Sequence, residues 1–182
     1  MLIKIRNLLL VFVLAVFTTP WVNAASEDTW EDISDVGVAS LLGTALILPA
    51  TRRDWEGLRQ ASYSIGAAAG VTLISKALVD EERPNNKDND SFPSGHTANA
   101  FSSATTLHRR YGWQVGFPAY AVATLTGIAR ERAREHHWYD VVAGAALGSV
   151  SGWYFTDAFS SSVQLTPWVD SKGGGLAVSM RF

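Results

Sequence analysis

Cysteine is absent from this chain of 182 residues, and charged residues are scarce, at 18%. Without cysteine, disulfide bonds, thiolate nucleophiles and cysteine-ligated metals are all excluded. The formal net charge is −2, so no general basic surface favours nucleic-acid binding. The chain also has no internal repeat and no low-complexity segment. These absences leave a single domain whose chemistry depends on histidine, carboxylate, hydroxyl and a few basic side chains.

Apolar residues make up 47% of the chain, and the mean hydropathy is +0.07. This composition is on the apolar side for a soluble protein, yet low for one made wholly of membrane helices. The length suits one domain with a real core and is too short for two.

The N-terminus has the composition of an export signal. Lys4 and Arg6 precede an apolar run at residues 8–17, and Ala24 ends a stretch of small residues. A basic start, a short apolar core and a small-residue cleavage site are typical of a secretory signal peptide. We therefore predict that residues 1–24 are a signal peptide cleaved after Ala24, or else a first membrane helix.

The remaining chain is predicted to be all-α. Apolar, small-residue-rich segments bounded by Gly, Pro and charged clusters favour helices. An acidic stretch at residues 27–35 precedes them and is interpreted as a surface segment or a short amphipathic helix. The predicted helices span residues 36–50, 55–79, 97–107, 113–129 and 139–159.

The C-terminal tail has a different pattern. Residues 163–169 and 176–182 flank a glycine-rich stretch, which is typical of a β-hairpin. The alternation ending in Phe182 also resembles the last strand of an outer-membrane barrel, but one hairpin cannot form a barrel. We interpret residues 160–182 as a small appendage to a domain at residues 25–159.

The sequence is compatible with two cellular locations, one soluble and one in the membrane. If the helices crossed a membrane, the basic N-terminus would lie on the same side as two arginine pairs, Arg52-Arg53 and Arg109-Arg110. The positive-inside rule requires this arrangement. Against this, residues 97–107 are polar and shorter than the roughly 20 residues that a span needs. The protein is either soluble after signal cleavage or embedded in the inner membrane, and in both cases its polar motifs would face the periplasm.

Three polar patches carry the chemistry. Lys76, Arg83 and Arg130 are candidate clamps for a phosphate, because cations neutralise its oxygens and arginine donates two parallel hydrogen bonds. Ser94 and Gly95 precede a predicted helix, where backbone N–H groups and the helix dipole attract anions.

Two histidines in these patches can transfer protons or attack phosphorus. His136 and Asp140 are four residues apart, so both can share one helix face if His136 lies at the start of the last helix. The carboxylate would then fix the imidazole tautomer, leaving the other nitrogen to attack. His96 would serve as general acid toward the leaving oxygen.

The patches resemble those of the type 2 phosphatidic acid phosphatase (PAP2) and vanadium haloperoxidase superfamily. That pattern is Lys, six residues, Arg-Pro; then Pro-Ser-Gly-His; then Ser-Arg, five residues, His, three residues, Asp. The matching positions here are Lys76, Arg83-Pro84, Pro93-Ser94-Gly95-His96, Arg130, His136 and Asp140. Ala129 departs from the pattern, since the family often has Ser there. The likeness covers roughly residues 55–159.

The resemblance implies a PAP2-like bundle of about five core helices, followed here by the C-terminal β-hairpin. It implies a phosphohistidine on His136, acid catalysis by His96 and no metal or other cofactor. The phosphate cradle that it implies consists of Lys76, Arg83, Ser94, Gly95 and Arg130.

The expected function is an exported phosphatase for a phosphomonoester or pyrophosphate, with a lipid phosphate as substrate and the membrane as its surroundings. The alternatives are an acid phosphatase for soluble phosphomonoesters, a vanadate-dependent haloperoxidase, and a non-catalytic phosphate-binding envelope protein. His137 is a neighbouring candidate nucleophile, but its spacing to Asp140 is off by one. The acidic residues Asp80, Glu81 and Glu82 are interpreted as a solvated turn.

Overall fold

The computed structural model of the chain describes residues 25–157, 163–170 and 173–180. The predicted signal peptide at residues 1–24 lies outside these ranges. Five helices form the domain, and their order matches the sequence prediction. They are α1 (Glu27–Thr51), α2 (Trp55–Leu78), α3 (Gly95–Tyr111), α4 (Trp113–Arg132) and α5 (Trp138–Phe155).

The first helix is longer than the sequence pattern indicated. The acidic residues 27–35 and the apolar residues 36–50 form one continuous helix of 25 residues rather than two segments. Ser26 caps it, because its side chain accepts a hydrogen bond from the backbone N–H of Thr29 at 3.2 Å. Glu27 and Asp28 in the first turn also suit the positive end of the helix dipole.

Helix α3 lies at the centre of the bundle. It packs against each of the other four helices. Its buried side chains are small or hydroxylated, among them Ala98, Ala104, Ser102 and Thr106. Small side chains let the surrounding helix backbones approach closely.

A ridge of glycines seats α5 against α3. Gly144, Gly148 and Gly152 recur every four residues on one face of α5. A Cβ atom at Gly148 would lie 2.1 Å from the carbonyl oxygen of Ala98, and one at Gly144 would lie 2.5 Å from that of Ser94. Only hydrogen fits in these gaps, so the glycines fix how α5 sits beside the start of α3.

The connections divide the bundle into two polar ends. We call one of them the far end. It contains the connection between α1 and α2 and the connection between α3 and α4. There Asp54 accepts hydrogen bonds from Arg110 and Tyr111, at 2.7 and 3.0 Å, and from the backbone N–H of Gly57. The bond from Arg110, aided by those from Gly57 and Tyr111, outweighs the effect of burial and lowers the pKa of Asp54 to about 2.

The tail forms the predicted hairpin. Strands β1 (Val163–Asp170) and β2 (Gly173–Met180) pair antiparallel, with Val163 opposite Met180. The predicted glycine-rich turn is partly outside the description, since residues 171–172 are not described.

The outward faces of the bundle are strongly apolar. Large apolar side chains are exposed on α1, α2, α4 and α5, among them Ile47, Leu73, Phe117 and Val150. Among the described residues, α3 has no such exposed side chain. Helix α1 is also long and apolar enough to cross a membrane, with a mean hydropathy of 1.7 over 18 of its residues.

Candidate active site

The other polar end of the bundle, the site end, brings the three sequence patches together. It is built from the long connection between α2 and α3, the first turn of α3 and the short connection between α4 and α5. The glycine ridge holds α5 against α3, so the residues that precede these two helices meet above them.

His136 is buried, with 2% of its surface exposed. Its Nδ1 atom lies 2.7 Å from the backbone carbonyl oxygen of Ser91. A carbonyl oxygen can only accept, so Nδ1 carries the proton and Nε2 is the unprotonated nitrogen. The imidazole is thereby fixed in the tautomer that leaves Nε2 free to act as a nucleophile.

The surroundings of His136 also keep its ring neutral. Burial, followed by the positive charges of Arg130, Arg83 and Lys76, lowers the pKa of His136 to about 2. Burial removes water that would stabilise the imidazolium, and nearby cations repel its charge. The ring is therefore neutral throughout the physiological pH range, with its one proton on Nδ1.

Asp140 lies near His136, as the sequence spacing predicted, but does not form a direct hydrogen bond with it. Its Oδ2 atom is 3.9 Å from Nδ1 of His136, too far for a hydrogen bond. It accepts hydrogen bonds from the hydroxyl of Ser91 at 2.6 Å and from the backbone N–H of His137 at 2.8 Å. The predicted direct bond is absent because α5 begins only at Trp138, so His136 lies outside the helix, and the carbonyl of Ser91 holds its Nδ1–H instead.

Ser91 therefore links the carboxylate to the histidine. Its hydroxyl donates to Asp140, while its carbonyl accepts from His136. Sequence reasoning gave Ser91 no role. Its position just before Phe92-Pro93 offered no signal, since a backbone carbonyl has no signature in the sequence.

A buried carboxylate, also missed from the sequence, organises the cations. Oε2 of Glu135 lies 3.2 Å from Nη2 of Arg130 and also forms an ion pair with Arg83. Its Oε1 atom is 2.6 Å from Nζ of Lys87. Burial alone would raise the pKa of Glu135, but the bond from Lys87 and the charges of Arg130 and Arg83 outweigh it and lower the pKa.

The predicted clamps occupy different positions around this carboxylate. Arg83 and Arg130 converge on Glu135, and the buried Nε atom of Arg130 has no hydrogen-bond partner within the described part of the chain. Lys76 instead donates to the backbone carbonyl of Asp90. All three cations still act on His136 through their charge.

The start of α3 supplies the remaining predicted residues. Ser94 is the N-cap residue, but its hydroxyl bonds Thr97 at 2.9 Å, and its backbone N–H donates to the carbonyl of Asp140 at 3.1 Å. The nearest atom to a Cβ added at Gly95 would be a methyl carbon of Thr72, at 3.3 Å. These contacts dock α3 against its neighbours, and the backbone N–H groups of its first turn lack helical partners, as at any helix start.

His96, the predicted acid, lies in that first turn and is partly exposed. Its Nε2 atom is 2.9 Å from Oδ1 of Asp35, a residue of α1. Asp35 had no place in the sequence prediction, because it lies in the acidic stretch that was interpreted as a surface segment.

One group of side chains has the spacing of metal ligands. Nδ1 of His137 lies 3.3 Å from Oδ2 of Asp140 and 3.7 Å from Oε1 of Glu81. These distances also suit hydrogen bonds and ion pairs within a polar loop. Among the three acidic residues of the predicted solvated turn, Glu81 is thus the one that contacts the site end.

An apolar groove of about 370 Å³ lies beside the site, between α4 and α5. Trp138 and Glu131 lie on its lining near the site end, and Phe101 of α3 contributes further along. Because α4 and α5 contact one another little, this groove opens on the outward face of the bundle.

Comparison with known proteins identifies the fold and the family. Two solved structures match at fold level. Aquifex aeolicus LpxE has a TM-score of 0.63 and 23% identity, and the match covers 80% of this chain and 92% of that one. A PAP2-type phosphatidylglycerolphosphate phosphatase from Bacillus subtilis has a TM-score of 0.57 and 21% identity, and the match covers 85% of this chain and 93% of that one. These likenesses support the all-helical bundle.

Two curated relatives are similar in sequence. A lipid A 1-phosphatase of Porphyromonas gingivalis is 37% identical over 106 residues, which is 55% of this chain and 23% of that protein. A lipid A 4'-phosphatase of Helicobacter pylori is 33% identical over 128 residues, or 64% of this chain and 63% of that protein. The chain thus spans less than two thirds of either relative. The model of the PAP2 superfamily matches residues 57–163, which contain every predicted site residue, and the chain belongs to that superfamily.

Proposed function

We propose that this protein is an exported phosphatase that hydrolyses a lipid phosphomonoester or pyrophosphate through a phosphohistidine on His136, without a metal. The observation that carries the proposal is the state of His136. It is buried and neutral, its Nδ1–H is bound to Ser91, and its Nε2 is left unprotonated beside three cations. A neutral imidazole next to an anion-binding cluster has the properties of a nucleophile for phosphorus.

In the first step, Nε2 of His136 attacks phosphorus in line with the bond to the leaving oxygen. The N–P bond forms as the P–O bond breaks, and His96 donates a proton to the leaving oxygen. Lys76, Arg83 and Arg130 neutralise the phosphoryl oxygens, whose charge is most demanding in the transition state. Nδ1–H of His136 stays on the Ser91 carbonyl, which stabilises the positive charge on the phosphorylated ring.

In the second step, water attacks the phosphohistidine. His96, now neutral, accepts a proton from the water, and the N–P bond breaks to release phosphate and regenerate both histidines. Asp140 acts through Ser91 and holds the loop that presents the carbonyl. It is therefore a positioning residue in this mechanism, not a direct partner of the nucleophile.

A lipid substrate fits the outer surface of the bundle. Contiguous apolar side chains exposed on four helices favour a bilayer over water. Exposed aromatic residues occur at both ends, with Trp138 near the site and Trp55, Trp113 and Trp153 at the far end, as in the aromatic belts of membrane proteins. The groove beside Trp138 offers an apolar surface to an acyl chain. The two curated relatives, named as lipid A phosphatases, support the same substrate class.

The same features favour an embedded protein whose site faces the periplasm. The far end carries Arg52, Arg53 and Arg109, and basic residues at helix ends favour the cytoplasmic side. The site end would then lie at the opposite membrane surface, where it can meet lipid head groups.

The test is phosphate release from phosphatidic acid, a lipid pyrophosphate, lipid A and p-nitrophenyl phosphate in detergent micelles. Wild type and His136→Ala are compared with and without EDTA, and alkaline quenching of wild type with labelled substrate traps the acid-labile phosphohistidine. We expect release that resists EDTA and disappears in the variant. An active His136→Ala protein would contradict the nucleophile, loss of wild-type activity in EDTA would contradict metal independence, and no release from any lipid would contradict the function.

A further inference from the structure

We propose that Asp35, a carboxylate from the first helix, is a positioning residue that pairs with His96 and keeps its ring ready to donate a proton. The inference rests on the proposed function, in which His96 is the general acid. It assigns a part in catalysis to α1, which lies entirely outside the residues of the family match.

The geometry is specific. Oδ1 of Asp35 lies 2.9 Å from Nε2 of His96, within hydrogen-bonding distance. The same oxygen is 4.0 Å from Nη1 of Arg130, so it bridges the acid and the cation cluster. The neighbouring Ser34 is buried and lies 3.4 Å from the same arginine nitrogen, which fixes this turn of α1 over the site.

The charges around His96 explain why a carboxylate is needed there. The charged groups that act on its ring are Asp35 from α1, Arg130 from α4 and Arg83 from the connection after α2. Burial is the largest of the effects on the ring, and together with both arginines it outweighs Asp35 and holds the pKa of His96 below its usual value. Asp35 is the one negative charge in this set, so it opposes the cations and favours the imidazolium that an acid must be.

The pairing also assigns the two ring nitrogens. With the Nε2 proton held by Asp35, Nδ1 is the nitrogen that gives its proton to the leaving oxygen as the P–O bond breaks. The imidazolium becomes neutral, and Asp35 keeps the Nε2 proton in place throughout. The role resembles that of any carboxylate that orients a catalytic imidazole.

Leaving groups of different basicity test this role. Decyl phosphate expels an alkoxide and depends on the acid, whereas p-nitrophenyl phosphate expels a stable phenolate and needs little protonation. We expect Asp35→Asn to lower kcat/KM for decyl phosphate about tenfold to a hundredfold, less than the roughly 10²–10⁴-fold that a general acid contributes, because His96 itself remains. The value for p-nitrophenyl phosphate should change little. In a His96→Ala background, Asp35→Asn should have no further effect.

The matched control is Asp32→Asn, which removes the same charge from an exposed position of the same helix. It should leave both substrates unaffected. An equal loss with both substrates, or no loss with either, would overturn the role of Asp35 while the wild-type activity still supports the phosphatase.

A second measurement does not depend on turnover. The chain has four histidines, so the ring of His96 can be followed by NMR in labelled protein. The midpoint of its titration should fall in Asp35→Asn relative to wild type and stay in place in Asp32→Asn. An unchanged midpoint in Asp35→Asn would overturn the pairing, even if wild type released no phosphate from any substrate.

Discussion

The two polar ends of the bundle both pair cations with a carboxylate, but in different proportions. At the far end one carboxylate, Asp54, accepts hydrogen bonds from Arg110, Tyr111 and a backbone N–H. The bonds from Arg110 and Tyr111 connect the end of α3 to the start of α2, and the backbone bond from Gly57 caps α2 itself. The pair is internally neutral, so it acts as a clamp between helices.

At the site end one carboxylate, Glu135, is shared by Arg83, Arg130 and Lys87. Three cations thus share one carboxylate, and the charges of Arg130 and Arg83 also act on His136. The contrast teaches that the ratio of charges, and not the presence of an ion pair, distinguishes a binding site from a structural clamp in this fold.

The largest expected effects come from substituting one arginine at each end, which should reduce activity at the site end and stability at the far end. Arg130→Gln should lower kcat/KM about 10²–10³-fold, since a preorganised donor to transition-state charge is typically worth that much. The fold should survive, because Glu135 keeps Arg83 and Lys87 as partners. Initial rates and thermal unfolding in detergent measure the two effects.

Arg110→Gln is the matched variant at the far end. It should lower the free energy of unfolding by about 2 kcal/mol, because it leaves the partly buried Asp54 without its main partner. Activity per folded molecule should be unchanged. A catalytic loss in Arg110→Gln, or a purely structural loss in Arg130→Gln, would remove the distinction between the two ends.

The far end should respond to acid only at low pH. The folded pKa of Asp54 is about 2, below its ordinary value of 3.8, so its stabilising contribution is present above pH 4 and is lost as the pH falls toward 2. The shift corresponds to about 2 kcal/mol. Thermal unfolding of wild type and Asp54→Asn should therefore converge below pH 4, and a constant gap would contradict this assignment.

The site end should respond to acid at a higher pH than the far end. The folded pKa of His136 is about 2 and its ordinary value is 6.5, so the unfolded chain binds the proton first. Stability from the neutral ring is present above pH 6.5 and falls by about 1.4 kcal/mol at pH 5.5. His136→Gln should lack this loss between pH 7.5 and 5.5, and a parallel pH response in both proteins would show that the ring is not held neutral.

The sequence was sufficient for the helices because their ends carry local signals. Gly112 between α3 and α4 and the Arg52-Arg53-Asp54 cluster between α1 and α2 both act through the residues themselves. The start of α1 was missed because its acidic first turns look like surface, although Ser26 and the helix dipole favour a helix there.

The predicted identities of the site residues came from spacing, but their contacts did not. The helix start at Trp138 decides that Asp140 bonds Ser91 and not His136, and no spacing rule contains that boundary. Likewise, Asp35 and His96 are 61 positions apart in the sequence and meet because α1 packs beside the start of α3. Local sequence patterns do not predict such a long-range contact. The roles assigned to these residues remain predictions for the experiments above.

The polarity of α3 also has a different meaning in the fold than in the sequence. Asn99, Ser102 and Thr105 argued against a membrane span when residues 97–107 were considered alone. In the bundle, the other four helices surround α3, so these side chains face protein. A polar central helix is compatible with an apolar exterior, because the hydrocarbon would contact only the outer helices.

The glycine ridge of α5 sets how freely this protein can change over evolutionary time. The outward positions of α5, such as Val142 and Val150, need only be apolar, so many replacements preserve them. At Gly144 and Gly148 not even a methyl group fits beside the backbone of α3. We therefore expect substitutions to be tolerated on the outward face of this helix and not on the face toward α3, where the excluded positions recur every four residues. The position of the loop before α5 therefore depends on glycines that lie outside the candidate site.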